Sequence, residues 1–513
     1  LILDNACRLY LYRYWKYEAG LAAALRAMAD DRPQLDIAIL KSGLERLFDR
    51  EEGGGIDWQR VAAAAALAGR FCVISGGPGT GKTSTVVKII ALLLEQPGGE
   101  GVRIALAAPT GKAAARLKDS ILSARERLGE RTGVAGSLPG EVTTIHRLLG
   151  VIPGSGRFRH DKDNRLPCDV VIIDEASMVP LPLMARVVEA LPSHGRLILL
   201  GDRDQLSSVE AGAVLGDICD SEMLPVFSEP FARFVSDVAG QPISGVRDSP
   251  PAPLLADSVV VLQRSYRFGA DSGIAAVSGA INSGGGNDAL ERLKSGRYGD
   301  VSLTSVPDRH GLEDRLRGIV LEGYRDYLLS EDPAEALRLF DRFRVLCAMR
   351  QGVFGVDGIN RVVERCLALE GLIAPRRKWY RGRPVMVTSN DYGLKLFNGD
   401  VGIALPDPEN REQLAVFFPA ADGGVRRVSP LRLPEHETVF AMTIHKSQGS
   451  EFDRLLMVMP PFDSQLLTRE IFYTGLTRAR SSAELWCADE LVIAMAGRRI
   501  ARRSGLRQAL WGG

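Results

Sequence analysis

The sequence predicts an α/β protein built on open parallel sheets with helices on both faces, arranged as two large domains. Three observations lead there. Near-continuous apolar strands alternate with helical segments: FCVIS, a helix, VRIALAAPT, a helix, then VTTIH, VVIIDE and RLILLGD. Strands buried on both faces read as such runs. A Gly-rich octet, GGPGTGKT, lies between one of these strands and a helical stretch. The length of 513 residues suits two or three domains.

Taken in order, Leu1 to Arg50 opens aromatic-rich (RLYLYRYWKYE) and turns helical in pattern, with no catalytic signature; residues 1–55 read as a docking or linking region. The first residue is leucine rather than methionine, so the true N-terminus is expected to be missing. The Gly-rich break Glu51 to Gly55 precedes a first α/β domain over 56–258. Inside it the polar and basic stretch GVIPGSGRFRHDKDNRLP reads as an inserted β-hairpin, about 150–168. Residues 220–258 are rich in Pro, Ser and Gly, show no sustained periodicity and read as a long surface loop. A second α/β region is expected over 259–513, with FRVLCAMR, VFAMTIHKSQG, RLLMVMP and IFYTGLTRARSSAELW. Within it, short alternating strands and turn residues from about 379 to 435 (FNGD, PDPEN, ADGG) suggest a small β-barrel insert.

The octet Gly76 to Thr83 carries the chemistry. Gly76, Gly77, Pro78, Gly79, Thr80 and Gly81 form a loop whose backbone N–H groups can wrap phosphates at a helix N-terminus. Lys82 neutralises the β/γ oxygens, and Thr83 supplies a hydroxyl to magnesium. The pattern points to a nucleoside triphosphate with Mg2+. Asp174 and Glu175 end the strand VVIIDE, where ligands of open parallel sheets gather. Asp174 suits magnesium alongside Thr83, and Glu175 suits polarising a water aimed at the γ-phosphate. In LLGDRDQL, Gln205 is the residue best suited to sense a γ-phosphate, since an amide both donates and accepts. Arg267 in QRSYRF and Arg478 in YTGLTRAR belong to the second region as read here, from which an arginine can neutralise transition-state charge.

Composition excludes other classes. Net charge is +1, so nucleic-acid contacts must come from local clusters and backbone donors. The seven cysteines include no C-x-x-C pair, which argues against a disulfide frame or zinc site and for a reducing, cytoplasmic compartment. No apolar run has the length of a membrane span, and no membrane partner is expected. Neither the N-K-x-D string of a GTPase nor the L-S-G-G-Q string of a transporter ATPase occurs. No Glu-x-Lys occurs either, a common part of metal-dependent nuclease sites, so DNA cleavage is not expected of this chain.

The ordered set GGPGTGKT, APTGKAAARL, TIHRLLG, VIIDEASMV, LLGDRDQLSSVEAGAVLGDI, QRSYRFG, MTIHKSQGSEFD and FYTGLTRAR resembles the motifs of superfamily 1 helicases. More narrowly, with RLYLYRYW, RQGVFGVDGIN and GRPVMVTSNDYGLKLFNGDVGIAL, the chain resembles the RecD family, alpha subunits of bacterial exodeoxyribonuclease V (RecBCD). The resemblance implies two RecA-like P-loop NTPase domains with ATP between them, both arginines reaching the γ-phosphate from the second. It implies an adenine-reading Gln59, and single-stranded-DNA contacts or coupling at Thr110, Lys112, His146, Thr443, His445 and Gln448. It makes the 379–435 insert an SH3-like barrel and the 150–168 hairpin a strand separator. It implies 5′ to 3′ translocation on single-stranded DNA at a duplex, and RecB-like and RecC-like partner subunits. A stand-alone helicase of the same branch is the alternative; the aromatic segment before Glu18 favours the complex-bound form. The resemblance implies a helical domain at the start that docks on a partner, most of which is expected to be missing from this sequence. RRKWYRGR, Arg376 to Arg383, fits stacked bases and phosphates or a solvated strand start equally well. The basic stretch 498–507 reads as a subunit or surface feature.

Overall fold

A computed structural model describes residues 1–4, 6–49, 55–128, 139–152, 154–208, 210, 212–219, 226–243, 254–269, 271–391, 393–410, 412–420, 423–500 and 504–512. The chain divides into two units, Leu1–Arg267 with Ala501–Gly513, and Phe268–Ile500.

The first unit carries a six-stranded parallel sheet. Its order is Val259–Leu262, Phe71–Gly76, Arg196–Gly201, Val170–Ile173, Ile104–Ala108 and Val142–Thr144. Side chains alternate across each strand, so every strand feeds two cores. Cys72 and Ile74 pack on one face with helices Trp58–Ala68 and Lys82–Glu95, while Phe71 and Val73 pack on the other with Leu181–Ala190. This double burial is why the strands read as unbroken apolar runs.

Several boundaries differ from the sequence reading. Val259–Leu262, expected to open the second region, pairs in parallel with Phe71–Gly76 and closes one edge of the first sheet. Residues 1–55 supply helices Tyr12–Asp30 and Ile37–Leu47, whose Leu21, Leu25 and Met28, and Leu40 and Leu44, are core residues of this unit. The chain's last described helix, Leu506–Trp511, packs there too: Glu18 accepts from Gly505 N at 2.9 Å and Trp511 Nε1 donates to Asp217 O at 3.0 Å. Within 220–258, residues 229–239 are helical, not loop. Ser228 caps helix Glu229–Ala239, which buries Phe231, Val235 and Val238 at helical spacing. Residues 220–225 and 244–253 lie outside the described residues. In the 150–168 stretch, Val151–Ile152 pairs antiparallel with Arg157–Phe158, and the described residues beyond Phe158 form turns.

The second unit carries a five-stranded parallel sheet in the order Val301–Thr304, Ala479–Trp486, Phe452–Val458, Phe343–Cys347, Ala441–Thr443. Between strands Phe343–Cys347 and Ala441–Thr443 the chain inserts a five-stranded antiparallel sheet ordered Val425–Val428, Leu414–Pro419, Val401–Pro406, Pro384–Val387, His436–Thr438. Val385, Val387, Val416 and Phe418 form its own core. This insert runs three residues past the expected end at 435, because His436–Thr438 is its last strand. Among the described residues no helix is long and apolar enough to cross a membrane.

Candidate active site

The first unit brings three strand ends to one edge of its sheet, since all its strands are parallel. After Phe71–Gly76 the chain turns through Gly79 at φ 75° and Gly81 at φ 80° into helix Lys82–Glu95. The left-handed backbone strains a side chain at both; a Cβ on Gly79 would also lie 2.2 Å from Arg267 Cβ, and one on Gly81 would displace the Gln59 amide, 2.3 Å away at Nε2. Lys82 Nζ donates to Gly76 O at 2.5 Å and Gly77 O at 3.0 Å, so its ammonium folds back over the loop. Thr83 follows in the helix's first turn, half-buried. Gln59 is placed by Asp57, whose carboxylate caps the helix by accepting from Gln59 N at 3.0 Å. Its Nε2 then donates to Thr80 O at 3.1 Å.

Asp174 and Glu175 follow Val170–Ile173, separated from the phosphate loop by one strand, Arg196–Gly201. Glu175 N donates to Asp174 Oδ1 at 2.8 Å, and Glu175 adopts φ 52°. A non-glycine residue in that left-handed region is strained, and such strain concentrates at functional positions. Burial and the Glu175 charge push the Asp174 carboxyl up to about 6, against the opposing pull of Lys82 and Arg116. Gln205 is buried: its Nε2 donates to Asp202 Oδ2 at 3.0 Å, while its Oε1 has no partner among the described residues. An orphaned buried amide oxygen beside this edge is set to receive a donor. The glycine cradle, the ammonium and the paired carboxylates fit a magnesium-bound triphosphate.

Arg267 lies on the phosphate loop from within the first unit, correcting the expectation that it approaches from the second. Tyr266 N donates to Gly79 O at 2.7 Å, Ser265 Oγ donates to Pro78 O at 3.2 Å, and Arg267 N donates to Ser265 Oγ at 3.3 Å. The reason is the preceding strand, Val259–Leu262, which joins the first sheet and delivers this turn to the loop. Ser265 escaped the sequence reading; its only signal was its place between two arginines in QRSYRF. Arg478 does belong to the second unit. It is 2% exposed, with Nε donating to Thr474 O at 3.1 Å and Nη1 to Ser450 O at 3.3 Å.

The remaining positions fall into two groups. Thr110, Lys112 and His146 follow Ile104–Ala108 and Val142–Thr144, the two strands at the far side of the first sheet. Thr110 Oγ1 accepts from Ala113 N at 3.2 Å, opening helix Gly111–Leu128. The His146 ring lies 6.0 Å from that of Phe158 in the short hairpin; burial lowers its pKa, with Glu210 opposing. Thr443, His445 and Gln448 lie in the second unit at the end of strand Ala441–Thr443. Thr443 Oγ1 accepts from Lys446 N at 3.2 Å, His445 opens the turn His445–Ser447, and Gln448 is buried behind it.

Residues 59–211 match the model of an AAA domain, and residues 438–485 that of a UvrD-like helicase C-terminal domain. The chain is 40% identical to the RecBCD enzyme subunit RecD of Mycolicibacterium smegmatis, over 98% of this chain and 82% of that protein. It is 42% identical to RecBCD enzyme subunit RecD of Mycobacterium tuberculosis, over 98% and 80%. The ATP-dependent RecD2 DNA helicase of Deinococcus radiodurans is 30% identical over 98% of this chain and 58% of that protein. With a phosphate loop, paired carboxylates and a buried glutamine on one sheet edge, and such identity along almost its whole length, the chain belongs to the RecD family of RecBCD enzyme subunits.

Proposed function

We propose that this chain translocates 5′ to 3′ on single-stranded DNA as one motor of a RecBCD-type complex, with RecB-like and RecC-like partners, in cytoplasmic double-strand-break repair. As a RecD-family protein it is an ATP-dependent DNA helicase. The observation that carries the reading is Lys82 folded onto the Gly76 and Gly77 carbonyls inside a loop turned by the left-handed Gly79 and Gly81.

In this reading Gly76 to Thr83 hold the phosphates and Gln59 the adenine. Thr83 and Asp174 would hold magnesium, which supplies charge neutralisation at the β/γ oxygens and favours the ionised Asp174. Glu175, at left-handed φ directly after the strand, orients the attacking water. Gln205 supplies an amide whose Oε1 still lacks a donor. Arg267, and Arg478 from the second unit, counter the charge that builds on the γ-phosphoryl. Thr110, Lys112, His146, Thr443, His445 and Gln448 hold or sense the strand through its backbone, which needs no base readout. The antiparallel insert is an SH3-like module, and the 151–158 pair is the element that meets the duplex.

Duplexes with a single 5′ or 3′ tail test this. Unwinding should require the 5′ tail and vanish in Lys82→Gln, which keeps side-chain length but removes the charge. Unwinding from 3′ tails alone would overturn the polarity. Co-purification of two larger subunits separates the complex-bound reading from the stand-alone one.

A further inference from the structure

Beside the insert, the second unit carries a groove of about 820 Å³ that includes Arg350, Lys378, Thr388, Asn398, Glu437 and Lys446. Glu437, in the insert's last strand, bridges two cations from different elements. Its Oε1 accepts from Lys446 Nζ at 2.8 Å, and its Oε2 accepts from Arg350 Nη2 at 2.9 Å. Lys446 belongs to the turn that carries His445, and Arg350 follows strand Phe343–Cys347. A carboxylate taking one cation on each oxygen presents what the two non-bridging oxygens of a phosphodiester present.

We propose that Glu437 is an internal counter-ion that competes with single-stranded-DNA phosphate for Arg350 and Lys446, and so sets how tightly the second unit grips the strand. This rests on the reading that Thr443 to Gln448 lie along the DNA path. The side chains are exposed enough to exchange partners: 61% for Arg350, 30% for Lys446 and 23% for Glu437. Ion pairs this open to water hold weakly. The groove also offers a third cation, Lys378, a hydroxyl at Thr388 and an amide at Asn398, against a second carboxylate, Glu435. Its charge is therefore only slightly positive. A phosphate entering exchanges with Glu437 instead of meeting two bare cations, so entry and exit differ little in free energy. A motor that must release the strand every step needs such a grip.

The test is equilibrium binding of the full chain to a fluorescent oligo-dT without nucleotide, across a salt series. Glu437→Gln keeps the shape and one acceptor but removes the competing charge. It should bind about three- to tenfold tighter at low salt, a gain that fades as salt screens the site. In an Arg350→Met/Lys446→Met background the same change should alter affinity less than about twofold, because neither cation that Glu437 holds remains to be released. Unchanged or weaker binding by a Glu437→Gln protein with wild-type melting overturns the proposal, as does an equal gain in the double-mutant background. If the wild-type chain binds no oligo-dT, the DNA-path reading fails first; if it binds and Glu437→Gln changes nothing, only the counter-ion proposal fails.

Discussion

Replacing Gly79 with alanine should disable the nucleotide site through a named contact. Gly79 sits at φ 75°, where an L-residue costs about 1–2 kcal/mol. The new Cβ would also lie 2.2 Å from Arg267 Cβ and 3.0 Å from both Arg267 N and Ser265 Oγ. Backbone and a short side chain offer no flexible end to swing away, so the 265–267 turn must retreat by an ångström or more. Retreat stretches Tyr266 N to Gly79 O, now 2.7 Å, and Ser265 Oγ to Pro78 O, now 3.2 Å. At about 1 kcal/mol for each hydrogen bond, the total is about 3–4 kcal/mol. A 1 Å displacement of Arg267 would further slow turnover by about 10²-fold. Gly98→Ala is the control: its φ is 79°, but a Cβ there meets nothing within 4 Å, leaving only the backbone strain. Denaturant titration and DNA-stimulated ATPase of the two variants give both numbers. If Gly79→Ala is no less stable than Gly98→Ala and turns over normally, the docking of Arg267 on the phosphate loop is wrong.

Three further outcomes are expected. Arg478→Ala should cut turnover by roughly three to five orders of magnitude with a much smaller loss of nucleotide affinity. Because Arg478 is buried against the Thr474 and Ser450 carbonyls, the folding check should use Arg478→Lys, which keeps the charge but not the planar fork; normal turnover in either folded variant would remove Arg478 from the site. Binding to single-stranded oligonucleotides should be indifferent to sequence and fall steeply with salt, as measured by titration at two salt concentrations; a preference of several kcal/mol for one sequence would contradict backbone tracking. Finally, the chain alone, with magnesium, ATP and end-labelled DNA, should separate strands without cutting them; cleavage that disappears on mutating its own carboxylates would refute this.

The chemistry of the site was legible because it is local. A strand, a glycine turn and a helix start are contiguous in Gly76 to Thr83, and Asp174–Glu175 end a strand whose apolar run announces itself. The sequence alone therefore determined the nucleotide loop, the paired carboxylates, the parallel α/β class and, through ordered motifs, the family. Helix Glu229–Ala239 was also written in Phe231, Val235 and Val238, but Pro, Ser and Gly around it masked the period. Tertiary structure decided which elements belong together. A four-residue apolar strand such as Val259–Leu262 carries no mark of the sheet it joins; pairing with Phe71–Gly76 is chosen by packing across nearly two hundred intervening residues, and it carries Arg267 with it. The same holds for the first two helices, whose apolar faces could have covered a partner but pack into this unit's own cores. Only folding brings Glu437 between Arg350 and Lys446, and only folding leaves Gln205 Oε1 buried without a donor. Spacing records local backbone geometry, whereas these ion pairs and orphaned polar atoms arise only where separate segments meet.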